Sequence, residues 1–548
     1  MDSFSSRRLG QELLKNWKSG LTVALVSIPL SLSLAIASGA TPVMGIITSI
    51  WAGLTAAAFG GSEFNVIGPA GALSGILASF ALTNGVQMLP VLAILSGIVI
   101  FAFYLLRWDK YLIFIPSSVM HGFTLGVGLT IGLGQMNAAL GITGLPARET
   151  LLQNFLESIA HVAQTNIHTL ALFATMLCLL FVLARLFRRV PGALIVAIIG
   201  IAIGYCSEAH LLPFTIQTIL SKYGTLQATL IQLPAFTLPV LNMSLLKAIV
   251  TVAIVAILET LLSAKIVDGM TNTRFNQKRE MLGLALANIA SGMTGGLPAT
   301  GVLARTALNA KSGATSRFSS GMNAIFVLII TLLLFRGFQY LPLGVVAAIL
   351  VFAAIRMVEV GHFKKLFHFD QSSFWLAILV AVLTFAVDPM IGILVGAAIS
   401  LLEFVQHLSI GRSDITLHRD QKVIVRSSHK DIRKYEDHGD ITVYRFAGEL
   451  TYFNAASHEE SIRRFKCRTL ILSLRNLFFM DIDGMDALHS IILDRQKRGI
   501  DVILTAVSSY KEVMLRKTDW YPKMVTDKKV FPSTTDALTA LGFPIREQ

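Results

Sequence analysis

Charge is scarce in this sequence, and cysteine is scarcer. Only 14% of the 548 residues are Asp, Glu, Lys or Arg against 54% hydrophobic, and mean hydropathy is +0.66. That balance excludes a soluble protein of this size and indicates a polytopic membrane protein. The three cysteines, Cys178, Cys206 and Cys467, have no CxxC or metal-ligand spacing, which excludes a disulfide framework and a paired-cysteine metal centre. A Walker A loop, a GxSxG elbow and an HExxH pair are also absent, so nothing points to ATP hydrolysis or to an enzyme. Any active transport must then be coupled to an ion, and no cofactor is expected beyond a co-transported sodium ion. Acidic residues are the minority among the charges, giving a formal net charge of +13. The basic residues are scattered through short loops and form no stripe, which argues against a nucleic-acid partner and for topology signals.

Apolar runs near spanning length recur from about Ser19 to Leu408. The first, Leu21 to Ala40, follows Arg7, Arg8, Lys15 and Lys18 and ends on Ser38-Gly39-Ala40, yet it is long for a signal peptide and the next run begins at Pro42. It reads as the first arm of a membrane hairpin. About fourteen segments are expected: 19–39, 42–60, 64–82, 88–106, 112–139, 167–187, 190–206, 244–264, 280–295, 298–311, 318–336, 340–358, 372–388 and 391–409. With a cytoplasmic N-terminus, the even count places Arg107, Lys110, Arg185, Arg188, Arg189, Lys265, Arg274, Lys278, Arg279, Lys311, Arg317, Arg356, Lys364 and Lys365 inside, and leaves mainly Arg148 and Lys222 outside. The C-terminus is then cytoplasmic as well. Two sets of seven segments have inverted topology, joined by the long stretch from Ser207 to Met243 with Pro213, Pro234 and Pro239. After 1–410 the expected order is a linker, 411–440, and a small α/β domain, 441–548. Its strands are expected at Ile441–Phe446, Thr469–Leu474 and Ile500–Leu504, and its helices near 455–465, 484–498, 508–517 and 533–541.

Two stretches about 230 residues apart, Gly68-Pro69-Ala70-Gly71-Ala72-Leu73-Ser74 and Gly296-Leu297-Pro298-Ala299-Thr300-Gly301-Val302-Leu303-Ala304, repeat one theme inside apolar sequence. Matched Gly/Pro breaks predict two half-helices meeting at a shared cavity, with free N–H groups and partial positive charge that favour an anion. Backbone groups near Ala70-Gly71-Ala72 and Thr300-Gly301, with the Ser74 and Thr300 hydroxyls, are the expected contacts. Arg305 either adds to the positive field or snorkels to the cytoplasmic side. Glu259 is the ionisable residue deepest in an expected segment, and Ser263 lies one turn on along the same face. The acid is a candidate for coupling to a proton or to sodium, the alternative being a structural hydrogen bond. Gln135 reads as a helix bridge, Asp388-Pro389 as an outer turn, and His121 as a packing residue.

Several motifs in order resemble the sulfate permease family: Ser27-Ile28-Pro29, Ile67-Gly68-Pro69-Ala70, Val119-Met120-His121-Gly122-Phe123, Glu259-Thr260-Leu261-Leu262-Ser263-Ala264, and Pro298 through Thr306. Asn476 through Met485 resembles the STAS domain that ends most members. The resemblance implies seven-plus-seven inverted repeats split into a mobile core and a gate, a homodimer, and sulfate, bicarbonate, chloride or dicarboxylates as substrates. It places the coupling ion at Glu259 with Ser263, and the anion at Gly71, Ala72, Thr300 and Gly301 near Arg305. Two positions depart. Leu30 stands where many members carry Gln, which leans the substrate toward bicarbonate. Ile482 and Asp483 follow Asp481 where related regulatory domains carry a phosphorylatable Ser or Thr, which argues against phosphorylation at that loop. The expected function is ion-coupled anion transport by alternating access, in the inner membrane of a bacterium as the short termini and tight loops suggest. The alternatives are a dicarboxylate transporter or chloride/bicarbonate exchanger, a channel, a nucleobase permease, and a membrane-tethered regulator.

Overall fold

The computed structural model describes residues 6–108, 110, 116–145, 151–187, 191–227, 229–233, 243–419, 422–428 and 439–543. Arg148, Arg188, Arg189, Pro234, Pro239, the start of segment five (112–115) and part of the expected linker (429–438) lie outside the described residues. The chain forms two compact units, Met1–Ile399 and Ser400–Gln548.

In a bilayer every backbone polar group needs an internal partner, so the apolar runs of the first unit become helices. The first half contains α1 (Ser6–Ala37), α2 (Pro42–Phe59), the two-residue strand β1 (Ile67–Gly68), α3 (Gly71–Asn84), α4 (Leu89–Leu105), α5 (Ser117–Gly134), α6 (Met136–Leu140), α7 (Leu151–Ala160), α8 (Ile167–Leu186) and α9 (Gly192–Glu208). A short helix, α10 (Ile219–Tyr223), lies in the connection. The second half contains α11 (Met243–Thr271), α12 (Gln277–Met293), β2 (Thr300–Gly301), α13 (Leu303–Lys311), α14 (Phe318–Phe338), α15 (Leu343–Met357), α16 (Val360–Phe369), α17 (Gln371–Ala386) and α18 (Pro389–Ser409).

Among the described residues nine helical spans are long and apolar enough to cross a membrane, and α3, α9 and α17 are shorter apolar helices. With α12 and α13 they match the fourteen expected segments, seven in each half, with α3 and α13 both third. β1 and β2 pair antiparallel, Ile67 with Gly301 and Gly68 with Thr300, so the two breaks are approached in opposite directions, as inverted repeats require. Small residues bring the helices close. A Cβ on Gly283 of α12 would lie 2.6 Å from the Gly60 Cα, just past α2, so that crossing tolerates no side chain.

Two helix starts differ from expectation. Segment three is helical only from Gly71 and segment ten only from Leu303. Residues before both are extended because β1 and β2 use each other's backbone groups, which removes the need for a helical turn there.

The second unit is a six-stranded sheet in the order β4-β3-β5-β6-β7-β8. Its strands are β3 (Arg412–Arg419), β4 (Lys422–Ser428), β5 (Ile441–Leu450), β6 (Thr469–Met480), β7 (Asp501–Thr505) and β8 (Val530–Phe531). Helices α19 (Ala455–Arg463), α20 (Ile482–Lys497), α21 (Ser509–Leu515), α22 (Tyr521–Thr526) and α23 (Thr534–Ala540) complete it. Residues 411–440, expected as a linker, therefore carry two strands. β3 runs antiparallel to β5 with Ile415 opposite Tyr444, so the domain begins about thirty residues early. Alternation places Tyr444, Phe446, Leu470 and Leu472 in one core with Leu488, Ile491 and Ile492 of α20, and Val443, Ile471 and Ile503 in another with Ala537 and Leu538 of α23. Asp481 caps α20, its Oδ1 accepting from the Gly484 N–H at 2.7 Å. The three cysteines are free, and burial pushes the Cys467 thiol up, away from reactivity.

Candidate functional site

Broken helices in a membrane survive where side chains replace the lost backbone bonds. Here α2 and α12 supply them. Thr48 accepts from the Leu297 N–H at 2.6 Å, Ser291 donates to the Leu297 carbonyl at 2.7 Å, and Asn288 both accepts from the Ala299 N–H (2.9 Å) and donates to its carbonyl (3.0 Å). On the other break, Thr306 of α13 accepts from the Val66 N–H at 3.1 Å, and Val302 donates to the Val66 carbonyl at 3.0 Å. The first break is thus held by residues of the second half, and the second break by Thr48 of the first half together with Ser291 and Asn288 of its own half.

Helix α3 starts at Gly71 with no side-chain cap, and Ala70 before it is extended. Gly71 and Ala72 are buried, so their N–H groups point from a helix end inside the protein, where a bound anion is the natural acceptor. A Cβ on Gly71 would fall 2.2 Å from Ile131 Cδ1 of α5 and 3.7 Å from Leu34 Cδ2 of α1, so any side chain here displaces the end of Ile131. The Ser74 hydroxyl donates to the Gly71 carbonyl at 2.7 Å and closes the first turn instead of facing a ligand. Helix α13 also lacks a side-chain cap at Val302. Ala304 in its first turn is exposed although Thr300, Arg305 and Thr306 are buried, so this end opens to one side.

Thr300 and Gly301 belong to the strand pair and not to a helix start. The Thr300 hydroxyl donates to Glu259 Oε2 at 2.5 Å, and the Gly301 N–H donates to Thr260 Oγ1 at 2.8 Å, which removes that N–H from the set of free donors. Arg305 does not snorkel. Its side chain is fully buried, with Nη2 donating to Ser31 Oγ at 3.0 Å, and Ser31 shares a 2.6 Å hydrogen bond with Ser49. Its Nε has no hydrogen-bond partner among the described residues. The charges of Arg305 and Glu259 act on each other, so a buried cation and a partly buried acid stand close to the strand pair, Glu259 bonded to Thr300 and Arg305 in α13 just after it.

Ser263 does not join Glu259. Its hydroxyl donates to Asn65 Oδ1 at 3.1 Å, in a second buried cluster that sequence reasoning missed. Asn65 donates to Glu280 Oε1 at 2.7 Å and accepts from Thr306 at 2.9 Å, while Glu280 Oε2 takes the N–H groups of Gly61 (2.7 Å) and Ser62 (2.8 Å). Glu259 is therefore not the only deep acid. Glu280→Ala is expected to strand the Gly61 and Ser62 N–H groups at about 1–3 kcal/mol each and to leave Asn65 Nδ2 with only its 3.3 Å bond to the Thr260 carbonyl, lowering the melting temperature of the detergent-solubilised protein. An unchanged melting curve with altered transport kinetics would move Glu280 from the fold to the site.

Gln135 is buried at the junction of α5 and α6, and Asp388 accepts from the Met390 N–H at 2.8 Å and lies 3.4 Å from Lys247 Nζ.

Residues 13–380 match the sulfate permease family, and residues 433–537 match the STAS domain. The "Putative sulfate transporter YvdB" of Bacillus subtilis is 29% identical over 531 residues, 95% of this chain and 97% of that protein. The bicarbonate transporter BicA of Synechocystis is 24% identical, over 95% of this chain and 92% of its own length. The inward-facing structure of the murine anion transporter Slc26a9 superposes with a TM-score of 0.80 over 96% of this chain and 91% of that one, at 17% identity. The fold, the paired breaks and these matches agree: the chain belongs to the sulfate permease family and ends in a STAS domain.

Proposed function

We propose that this chain is a carrier, not an enzyme, that moves a small oxyanion across a bacterial inner membrane by alternating access, with both termini cytoplasmic and as a homodimer. The observation that carries this reading is the pair of uncapped helix ends, α3 at Gly71 and α13 at Leu303, beside the buried guanidinium of Arg305. A site with one buried cation suits a monovalent anion, and the acid at Glu259 offers a place for a co-transported sodium ion or proton. Leu30, partly exposed on α1, brings no polar contact, and Leu34 lies beside Gly71, which favours bicarbonate over sulfate. An uptake screen in liposomes across bicarbonate, sulfate, chloride and fumarate, with and without sodium or a proton gradient, tests the proposal. Saturable bicarbonate uptake that needs one of those gradients supports it. Non-saturating current without a co-ion makes the protein a channel, and no flux of any anion makes it a tethered regulator.

Two variants probe the assignment. Gly71→Leu is expected to abolish uptake while the protein still inserts, because its side chain fills the helix end against Ile131. Full-rate uptake at equal membrane abundance would remove the anion from α3. Cutting the chain after Ser409, ahead of β3, is expected to lower rate or abundance without abolishing transport, since every candidate site residue precedes the STAS unit. A cut at Ser413 would fall inside β3. Wild-type rate and abundance in the truncated protein would deny the tail a regulatory or assembly role.

A further inference from the structure

A second cluster of chemistry-bearing side chains stands apart from the anion site. His121 lies in the first turns of α5, while Glu359 and His362 flank the start of α16, where the chain turns out of α15. The His362 N–H donates to the Glu359 carbonyl at 2.9 Å, so this elbow sets Glu359 and His362 one turn apart. The two imidazoles stack with centroids 3.6 Å apart, and His121 Nδ1 is 3.7 Å from Glu359 Oε2. That separation is too long for a hydrogen bond. One nitrogen or oxygen from each of the three residues lies within 4.8 Å of the other two. His362 Nε2 is shut off from solvent and has no hydrogen-bond partner among the described residues.

We propose that His121, Glu359 and His362 bind one divalent transition-metal ion of the zinc type. Two imidazoles and a carboxylate are the donor set for a borderline cation, and three protein ligands leave the fourth position of a tetrahedron to water. With metal–ligand bonds of about 2.0–2.2 Å, tetrahedral donor atoms sit roughly 3.2–3.6 Å apart. A donor pair at the 4.8 Å limit would have to close by about 1.2–1.6 Å, shared between two rotating side chains. Glu359 has to supply the negative charge, because Arg356, Lys364 and Lys365 occupy the same stretch. Binding would pin the start of α5 to the α15–α16 elbow. It needs no part of the transport reading above, and its test does not use transport.

The full-length protein, purified through a tag without histidine and stripped of metal, is titrated with Zn²⁺ against a chromogenic chelator and with Co²⁺ by visible absorption. One Zn²⁺ per chain and the intense bands of tetrahedral Co²⁺ are expected. His121→Ala, His362→Ala and Glu359→Gln should each weaken binding at least about tenfold, with monodisperse elution and an unchanged metal-free melting temperature showing that they fold. Three results overturn the proposal: no stoichiometric Zn²⁺ in the wild type, a pale octahedral Co²⁺ spectrum, or a site that survives in the His121→Ala/His362→Ala double variant. The first of these, combined with pH-dependent melting that Glu359→Gln removes, would identify the cluster as a histidine–carboxylate ion pair.

Discussion

Arg305→Met is expected to weaken anion binding at least about hundredfold, which corresponds to about 2.7 kcal/mol. Methionine occupies much of the buried volume, so the change removes charge and hydrogen bonding more than packing. Two costs combine. The bound anion loses its one buried cation, and Glu259 loses the positive charge acting on it. The site should then disfavour an anion and retain more affinity for the coupling cation. Arg305→Lys keeps the charge but loses the planar fork that reaches Ser31, so an intermediate affinity is expected. Ser31→Ala separates field from strut, since it deletes the 3.0 Å contact and leaves the guanidinium in place. Calorimetry on the purified protein reads all three. Anion affinity within threefold of wild type in Arg305→Met, with Ser31→Ala equally mild, would reduce Arg305 to a packing residue.

The paired breaks were legible because Gly68-Pro69 and Pro298 cannot continue a membrane helix without help, and their third place in each of two sets of seven, an odd number of crossings, implied inversion. Where each half-helix starts was not legible. The expected tenth segment began at residue 298, but Thr300 and Gly301 found partners across the strand pair, and a two-residue strand leaves no periodic signal. Ser263 shares a helical face with Glu259 by spacing alone, yet Asn65 competes for its hydroxyl. Asn65 falls inside the expected third segment, 64–82, but lies in the non-helical stretch between α2 and α3, where the side chain can turn to α11 and α12. Glu280 was hidden for a related reason: flanked by Lys278 and Arg279, it reads as an interfacial acid, and only folding brings the Gly61 and Ser62 N–H groups to it. In the tail, the polar and charged Arg412, Asp414, His418 and Arg419 made β3 look like linker, although it lies between β4 and β5. A long-range partner decided the outcome in every one of these cases.

Glu259→Gln is expected to abolish gradient-driven accumulation while leaving anion-for-anion exchange intact. Glutamine keeps a carbonyl oxygen that can accept from the Thr300 hydroxyl, so the link between α11 and β2 survives. What disappears is the negative charge that a co-transported cation must neutralise. A sodium-coupled carrier would lose its sodium requirement, and a proton-coupled one would lose the pH dependence of uptake, because an amide does not titrate. Thr300→Val is the complementary change: it deletes the hydrogen bond but leaves the carboxylate, so coupling should persist with altered affinity. Exchange without accumulation in the first variant and accumulation in the second would together assign coupling to the charge of Glu259 rather than to its hydrogen bond. Accumulation against a gradient by Glu259→Gln, with unchanged ion dependence, would make this acid a structural link and leave Glu280, the other buried carboxylate described above, as the next residue to test for coupling.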